Sequence, residues 1–335
     1  MSILSHSNRP RPFETPSDPE RLVESLLSNV ERVLIGKRKT VKLCVAAMLA
    51  RGHVLIEDVP GTGKTLLAKA LARSLDCSFS RIQFTPDLLP ADVTGASVYH
   101  PVRHDFAFRK GPLFAHVVLA DELNRTPART QAALLEAMEE RQVTADGTSY
   151  ALPEPFLLLA TQNAMGGEGA YPLPEAQLDR FLLQVSLGYP TLREEADILG
   201  RQGSGMASVD RLRPVLLREE LLALQEQAAR IHVDEALCEY IARLSEATRS
   251  HPDAKWGASP RASLALLRAA KAHAFLSGRS YLLPDDVKEM VLPVLTHRMV
   301  LTSAARYAGR RSEELVSEVV DRTPIPGLQK RGGRS

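Results

Sequence analysis

The sequence predicts an α/β fold: a parallel five-stranded sheet covered by helices, with an inserted hairpin, followed by a smaller all-α domain. Short apolar runs alternate with helical patterns in the first 188 residues, which is typical of a parallel sheet. Beyond residue 190, apolar residues recur only at helical spacing. Because 335 residues are enough for two domains, this change of pattern predicts a domain boundary near residue 188.

The first domain is predicted to span residues 19–188, after a polar, proline-containing flexible tail at 1–18. Two helices precede the first strand. The strands are expected at 53–57, 79–84, 116–120, 156–160 and 182–187. Segment 84–115 carries two short strands around a polar turn, which predict a hairpin inserted before the third strand of the sheet. An irregular surface loop is the alternative for that segment.

The second domain is predicted to span residues 189–323 as a helical bundle with no further strand, followed by a basic flexible tail at 324–335. Its helical patterns run over about 192–201, 218–230, 234–249, 260–276 and 284–294. Asp234 and Ser259 stand at the start of two of these patterns. Both are predicted N-caps, because their side chains can accept hydrogen bonds from the free N–H groups of a first helical turn.

A glycine-rich turn follows the first predicted strand and leads directly into a helical pattern. It is Pro60-Gly61-Thr62-Gly63-Lys64-Thr65. Glycines let backbone N–H groups converge on phosphate oxygens without obstruction by a Cβ, and the next helix adds the dipole of its N-terminus. Lys64 is expected to reach the β- and γ-phosphates, and the Thr65 hydroxyl to coordinate Mg²⁺. The turn therefore predicts a nucleoside triphosphate site.

One position departs from the general phosphate-loop pattern G-x-x-x-x-G-K-[ST]. The chain has Asp58 where that pattern has its first glycine. The two glycines nearest the lysine, Gly61 and Gly63, are present. We therefore expect a working nucleotide site and a tolerated variation at Asp58.

Two carboxylates end the third predicted strand. Asp121 and Glu122 follow the apolar run Val117-Val118-Leu119-Ala120, which suits a central strand. Ligands of open α/β sheets bind at the carboxyl ends of the strands, so both acids are expected beside the phosphate loop. Asp121 is expected to hold Mg²⁺, directly or through water, and Glu122 to orient and deprotonate an attacking water. Simple strand termination is the alternative, and the phosphate loop upstream disfavours it.

Longer motifs around these acids resemble those of the MoxR family of AAA+ ATPases. The matching stretches are 121–127 (DELNRTP), 130–140 (TQAALLEAMEE), 160–163 (ATQN), 171–181 (YPLPEAQLDRF) and 258–263 (ASPRAS). The resemblance covers about residues 20–323, with Ala164 in place of the usual proline after ATQN. It implies an AAA+ P-loop NTPase fold with a C-terminal helical lid. It also implies that ATP is hydrolysed to ADP and phosphate with Mg²⁺ at subunit interfaces.

The same resemblance assigns roles to three residues. Asn163 looks like the first sensor, whose amide hydrogen-bonds the γ-phosphate and the attacking water. Arg180 looks like an arginine finger for the nucleotide of a neighbouring subunit, and Arg261 like a second sensor that reads the nucleotide from the lid. The alternatives are a turn residue for Asn163, a salt bridge to Asp179 or Glu175 for Arg180, and a plain surface position for Arg261.

Three more residues are weaker candidates. Arg125 and Arg129 are further candidates at the subunit interface. Gln83, at the end of the second strand, is a candidate for restraining Glu122 until a partner binds.

The resemblance also implies a biological role. Members of the family act as chaperone-like motors that remodel or mature protein complexes, often with a von Willebrand factor A-domain partner. A homo-oligomeric ring, a hexamer by family precedent, and an unknown protein client are therefore expected. A magnesium-chelatase-like motor subunit and a nucleic-acid-remodelling AAA+ ATPase are the nearer alternatives. A small-molecule kinase shares the phosphate loop but gives no role to Arg180 and Arg261.

Composition restricts the other classes of function. A formal net charge of +2 and an aromatic content of 5% give no strong argument for nucleic acid or a membrane surface. No apolar run approaches the roughly 20 residues of a membrane span, and the polar start lacks a secretory signal. Cys44, Cys77 and Cys238 show no metal-ligand spacing. They are expected to be reduced thiols in a cytoplasmic protein.

Overall fold

A computed structural model describes residues 18–162, 171–203 and 208–325. Its helices are α1 (Pro19–Glu31), α2 (Arg38–Leu49), α3 (Lys64–Ser74), α4 (Pro90–Thr94), α5 (Ala128–Glu140), α6 (Glu175–Leu178), α7 (Leu192–Gly203), α8 (Arg218–Ala229), α9 (Glu235–Arg249), α10 (Pro260–Leu276), α11 (Pro284–Leu295), α12 (Ser303–Tyr307) and α13 (Ser312–Arg322). Its strands are β1 (Val54–Glu57), β2 (Phe79–Gln83), β3 (Gly95–His100), β4 (Asp105–Lys110), β5 (Val117–Asp121), β6 (Gln142–Ala145), β7 (Thr148–Ala151), β8 (Leu157–Gln162), β9 (Leu183–Val185), β10 (Ala254–Trp256) and β11 (Val300–Leu301).

The main sheet has the strand order β2-β5-β8-β1-β9, and every neighbouring pair is parallel. The interior strand β5 is buried along its whole length, which explains its unbroken apolar sequence before Asp121. Because all strands run in one direction, their carboxyl ends lie at one edge of the sheet. The predicted five-stranded parallel sheet is confirmed, and this edge positions the site described below.

The predicted insertion is also confirmed as a hairpin. Strands β3 and β4 pair antiparallel, with Gly95 opposite Lys110 and His100 opposite Asp105. A second hairpin, β6–β7, was not predicted from the sequence. Its turn is Asp146-Gly147, and both residues have positive φ angles, +50° and +75°. This dipeptide favours the tight turn of a two-residue hairpin, so the signal was present in the sequence.

The C-terminal region is mostly helical, as predicted. Asp234 and Ser259 cap α9 and α10: their side chains accept hydrogen bonds from Ala236 N–H (2.8 Å) and Ala262 N–H (3.1 Å). The expectation that no strand occurs here was wrong, because β10 and β11 pair antiparallel. These strands have three and two residues and lie far apart in the chain, so they leave no detectable alternation in the sequence.

One continuous apolar core joins the C-terminal helices to the sheet. The cluster contains buried residues of α1, α2, α3 and β1 together with residues of α8, α9, α10, α11 and α13. A second cluster lies on the other face of β5 and β8 and contains α5 and the β6 strand. The helical region therefore packs directly on the half that contains the parallel sheet.

The three cysteines are free thiols; Cys44 is buried, Cys77 is half-buried and Cys238 is exposed. Among residues 18–162, 171–203 and 208–325, no helix is long and apolar enough to cross a membrane.

Candidate active site

The carboxyl edge of the sheet opens into a cavity of about 480 Å³. It is lined by the phosphate-loop turn, by the start of α3 and by the ends of β2, β5 and β8. The sequence-predicted residues that line it are Pro60, Gly61, Gly63, Lys64, Thr65, Asp121 and Glu122. Thr62 is buried within the loop, where its hydroxyl donates to the Val59 carbonyl (3.3 Å). The fold thus brings the two predicted motifs together.

The loop conformation requires its glycines. Gly61 and Gly63 have φ angles of +84° and +96°, which residues with a Cβ rarely adopt. Helix α3 begins directly afterwards, so its free N–H groups face the cavity. The Lys64 amine donates to the Val59 carbonyl (2.8 Å) and, more weakly, to the Asp58 carbonyl (3.4 Å). The loop therefore presents backbone donors and one cation to the same space.

Asp58, the residue that departs from the general pattern, has a structural role. One carboxylate oxygen accepts from Val59 N–H (2.8 Å); the other accepts from Leu187 N–H (2.7 Å) and Gly188 N–H (2.9 Å). The residue is only 6% exposed, so these three donors replace water around its charge. Asp58 thereby ties the phosphate loop to the segment that leads from β9 into the C-terminal helices.

The two acids at the end of β5 are held by Thr161 on the neighbouring strand β8. The Thr161 hydroxyl donates to one oxygen of Asp121 (2.7 Å) and accepts from the backbone N–H of Glu122 (2.8 Å). The other Asp121 oxygen accepts from Arg81 on β2 through Nη2 (2.6 Å) and Nε (3.0 Å). Neither Thr161 nor Arg81 is assigned a role by the sequence patterns, although Thr161 belongs to the ATQN stretch at 160–163.

Glu122 has an unusual backbone and a restrained side chain. Its φ and ψ angles, +57° and +46°, lie in the left-handed region, which is uncommon for a residue other than glycine. Its carboxylate accepts from Gln83 Nε2 (2.7 Å), so the predicted contact of Gln83 is confirmed. Arg125 Nε lies 3.4 Å from the same oxygen. Arg125 thus contacts the acid of its own subunit.

The oxygen donors of the cavity fit a Mg²⁺ ion that arrives with a nucleotide. Mg²⁺ in phosphate-binding sites commonly uses one or two carboxylates together with substrate phosphates and water. Thr65, Asp121 and Glu122 supply such oxygens around the cavity. Within the described ranges, no group of three or more His, Cys, Asp or Glu side chains forms a metal site by itself.

The two predicted arginines lie together at a different place. Arg180 Nη1 is 3.3 Å from one oxygen of Glu139, and Arg261 Nη2 is 3.0 Å from the other. Glu139 belongs to the last turn of α5. Arg180 lines a separate cavity of about 540 Å³, and neither arginine lines the phosphate cavity. The alternative for Arg180 was a salt bridge to Asp179 or Glu175. Arg180 does form a salt bridge, but its partner is Glu139, and Asp179 pairs with Arg298.

Two further predicted residues are not among the described residues that line either cavity. Asn163 lies outside the described residues, directly after Gln162, which lines the phosphate cavity. Arg129 is exposed at the start of α5.

The sheet order and the phosphate cavity with its Asp-Glu pair define a P-loop ATPase. Residues 53–183 match the sequence family described as "ATPase family associated with various cellular activities (AAA)". Residues 246–319 match the family described as "AAA lid domain". The chain is therefore an ATP hydrolase with an AAA domain and a helical lid.

Similar proteins narrow this class. YeaC of Bacillus subtilis, an uncharacterized protein, is 46% identical and aligns with 92% of this chain and 96% of its own. Chaperone MoxR1 of Mycobacterium tuberculosis is 41% identical, over 96% of this chain and 88% of its own. A crystal structure of a candidate ATPase from Cytophaga hutchinsonii superimposes with a TM-score of 0.86 at 36% identity, covering 92% of this chain and 96% of that one. The chain belongs to the MoxR family of AAA+ ATPases.

Proposed function

We propose that this chain hydrolyses ATP to ADP and phosphate at sites shared between adjacent subunits of a ring, and that it acts as a chaperone-like motor on protein complexes. One observation supports a site shared between subunits. Arg180 and Arg261 are held by Glu139, away from the cavity that contains Lys64 and Glu122. These arginines are therefore not placed to act on the phosphates of their own subunit, and we propose that they act on the nucleotide of a neighbouring subunit.

Within one subunit, the phosphate loop and the two acids would bind and position the reactants. Lys64 and the N-terminus of α3 would neutralise charge on the β- and γ-phosphates. Mg²⁺, when bound with the nucleotide, would compensate phosphate charge. Because both Asp121 oxygens already accept hydrogen bonds, we infer that this residue holds the ion through water, while Thr65 supplies its hydroxyl.

The attacking water would be handled by Glu122. Gln83 donates a hydrogen bond to one oxygen of the Glu122 carboxylate, and we propose that this oxygen acts as the base. The carboxylate can then accept the proton of the water once its hydrogen bond with Gln83 is broken. Asn163, by its place after β8, is the proposed first sensor.

The neighbouring subunit would complete the site. A guanidinium supplied in trans stabilises charge on the transferring phosphoryl group and can accelerate hydrolysis by about 10³–10⁵-fold. Arg180 is the proposed finger. The shared contact with Glu139 favours the same direction for Arg261, which would therefore act on the neighbour's nucleotide rather than on its own.

The chaperone-like role is supported by the similarity to a protein named Chaperone MoxR1. A hexameric ring, a von Willebrand factor A-domain partner and a cytoplasmic location belong to this proposal through the family resemblance. A client is best sought with Glu122→Gln, which should retain ATP while hydrolysing it at least about 100-fold more slowly. Proteins that remain bound to this variant in ATP, and not in ADP, are the expected clients.

Mixing two inactive variants tests the shared site. Arg180→Ala and Lys64→Ala should each abolish most turnover alone. In a random mixed ring, about a quarter of the sites would combine an intact phosphate loop with an intact neighbouring finger, because adjacent subunits meet head to tail. Partial recovery of ATPase activity is the expected result. If mixed rings form, as judged by co-purification of two differently tagged variants, and activity does not return, the shared site is wrong.

A further inference from the structure

The backbone that carries Arg180 is held by residues of the lid. We call residues 179–182, between α6 and β9, the finger segment. Arg298, a buried residue of the lid, donates from Nε to the Asp179 carboxylate (2.8 Å). Its other nitrogens donate to main-chain carbonyls of Asp179 (3.0 Å), Phe181 (2.5 Å), Leu182 (3.3 Å) and Val294. One side chain thus joins three carbonyls of the finger segment to α11.

A second link runs to the helix that carries Arg261. Ser259 Oγ donates to the free oxygen of Asp179 (3.0 Å), while it accepts from Ala262 N–H as the N-cap of α10. Arg261 lies in the first turn of that helix. Asp179 therefore connects the segment of Arg180 to the cap of the Arg261 helix, using both of its oxygens.

The direct contacts of Arg180 are much weaker than these links. Its ion pair with Glu139 spans 3.3 Å, and both side chains are about 30% exposed, at 27% and 32%. Ion pairs of this kind contribute little to holding a side chain in place. By contrast, the planar guanidinium of Arg298 is fixed by acceptors on several sides, and buried networks of this kind are rigid when every member is satisfied. The finger segment is therefore held by the lid links, by the main-chain hydrogen bond from Leu182 N–H to the His53 carbonyl (2.8 Å) and by the buried side chain of Phe181, while Glu139 contributes little.

We propose that Asp179 is a positioning residue that joins the finger segment to the lid through Arg298 and Ser259, and thereby fixes the position of Arg180 relative to Arg261. This inference rests on the proposed role of Arg180. Asp179 itself touches no reacting atom.

Asp179→Asn tests the inference, with Asp253→Asn as its matched control. Asp253 also pairs with an arginine of the lid, Arg310, at 3.1 Å, but does not contact the finger segment. We expect Asp179→Asn to lower kcat at least about tenfold, because the finger loses its fixed position. The Kd for Mg²⁺–ATP should stay within about twofold, since Asp179 does not line the phosphate cavity. Asp253→Asn should change neither quantity by more than about twofold.

A mixing experiment separates positioning from general damage to the fold. Asp179→Asn subunits have an intact phosphate loop, and Lys64→Ala subunits have intact arginines and an intact Asp179. Their mixture should therefore recover ATPase activity, as should the mixture of Arg180→Ala with Lys64→Ala. Recovery with Arg180→Ala but not with Asp179→Asn would overturn the inference and leave the shared site standing. Recovery in neither mixture would reject the shared site and this inference with it.

Ser259→Gly gives a second variant in case Asp179→Asn does not fold. Glycine keeps most of the N-cap preference, so the main loss is the hydrogen bond to Asp179. We expect kcat to fall about threefold or more, with recovery in the same mixture. A wild-type kcat for this variant, or a loss of activity that the mixture does not restore, would contradict the proposal.

Discussion

Thr161 orients both Asp121 and Glu122 with a single hydroxyl. The hydroxyl oxygen accepts a hydrogen bond from the Glu122 N–H, and the hydroxyl donates a hydrogen bond to the Asp121 carboxylate. The left-handed backbone at Glu122 is thereby fixed by a neighbouring strand. Among the residues that the structure describes, this hydroxyl is the group that bonds to both members of the pair, so their relative geometry depends on Thr161.

Replacing this hydroxyl should be costly for activity. Thr161→Val removes the shared oxygen at nearly constant volume, and leaves an unpaired N–H and carboxylate oxygen, at a cost of about 1–3 kcal/mol. We expect kcat to fall at least about tenfold, while Thr161→Ser, which keeps the hydroxyl, stays within about threefold of wild type. Steady-state ATPase assays check this. Wild-type activity of Thr161→Val together with a loss in Thr161→Ser would show that the methyl group, and not the hydroxyl, matters.

Asp58 should resist replacement by the glycine of the general pattern. Asp58→Gly removes the acceptor of the Leu187 and Gly188 N–H groups, which are part of a buried contact. The free energy of unfolding should fall by about 1–3 kcal/mol, and Asp58→Asn should lose less, because it keeps one acceptor oxygen. Urea unfolding of the three proteins measures the difference. A more stable glycine variant would refute the structural role.

At the scale of the secondary-structure elements, His53 joins β1 to two neighbours. Its Nδ1 accepts from Leu158 N–H on β8, and its Nε2 donates to the Met138 carbonyl on α5, both at 3.1 Å. Burial of the ring lowers the pKa of His53 to about 4, because the charged form is not solvated there. The folded protein therefore holds this histidine neutral.

Stability should consequently fall in mildly acidic solution. The folded pKa is lower than the usual value, so an unfolded chain binds the proton first as the pH drops. The contribution of His53 is complete above about pH 6.5 and decreases by about 1.4 kcal/mol per pH unit down to about pH 4. Thermal unfolding between pH 4 and 8 tests this. His53→Gln should be less stable at pH 8 but lose less stability on acidification; an unchanged slope would contradict the assignment.

The sequence predicts elements well where local pattern and burial coincide. The central strands are continuous apolar runs because both faces are covered, and the phosphate loop needs its glycines for positive φ angles. Strands β10 and β11 were missed because their pairing depends on contacts between distant segments. Arg81 and Glu139 were missed for the same reason: each acts through a partner on another element.

At the scale of the whole molecule, the two halves share one apolar core. Helices α1 and α2 contribute to the same cluster as α8, α10 and α11. Removing the lid would therefore expose buried residues of the nucleotide-binding half. The subunit should unfold as a unit, although its sequence has two distinct patterns.

Calorimetry provides the test of this cooperativity. The wild-type chain without nucleotide should show one heat-absorption peak, with a van't Hoff enthalpy close to the calorimetric enthalpy. Val291→Ala, in the buried face of α11, should shift the whole peak downwards and leave it single, because its cluster spans both halves. Two separate peaks, with only one of them moved by the substitution, would show that the halves unfold independently.

The shared contact at Glu139 has a consequence for subunits that have not assembled. One carboxylate there is shared by two guanidinium groups, and the side chains of Arg180 and Arg261 remain 27% and 52% exposed. In a ring, the triphosphate of the adjacent subunit would compete with Glu139 for these cations and offers more negative charge. Nucleotide would then strengthen the contact between subunits before any bond is broken. Hydrolysis and loss of phosphate would weaken it, so the charge at a single glutamate would help to set how long two subunits stay together.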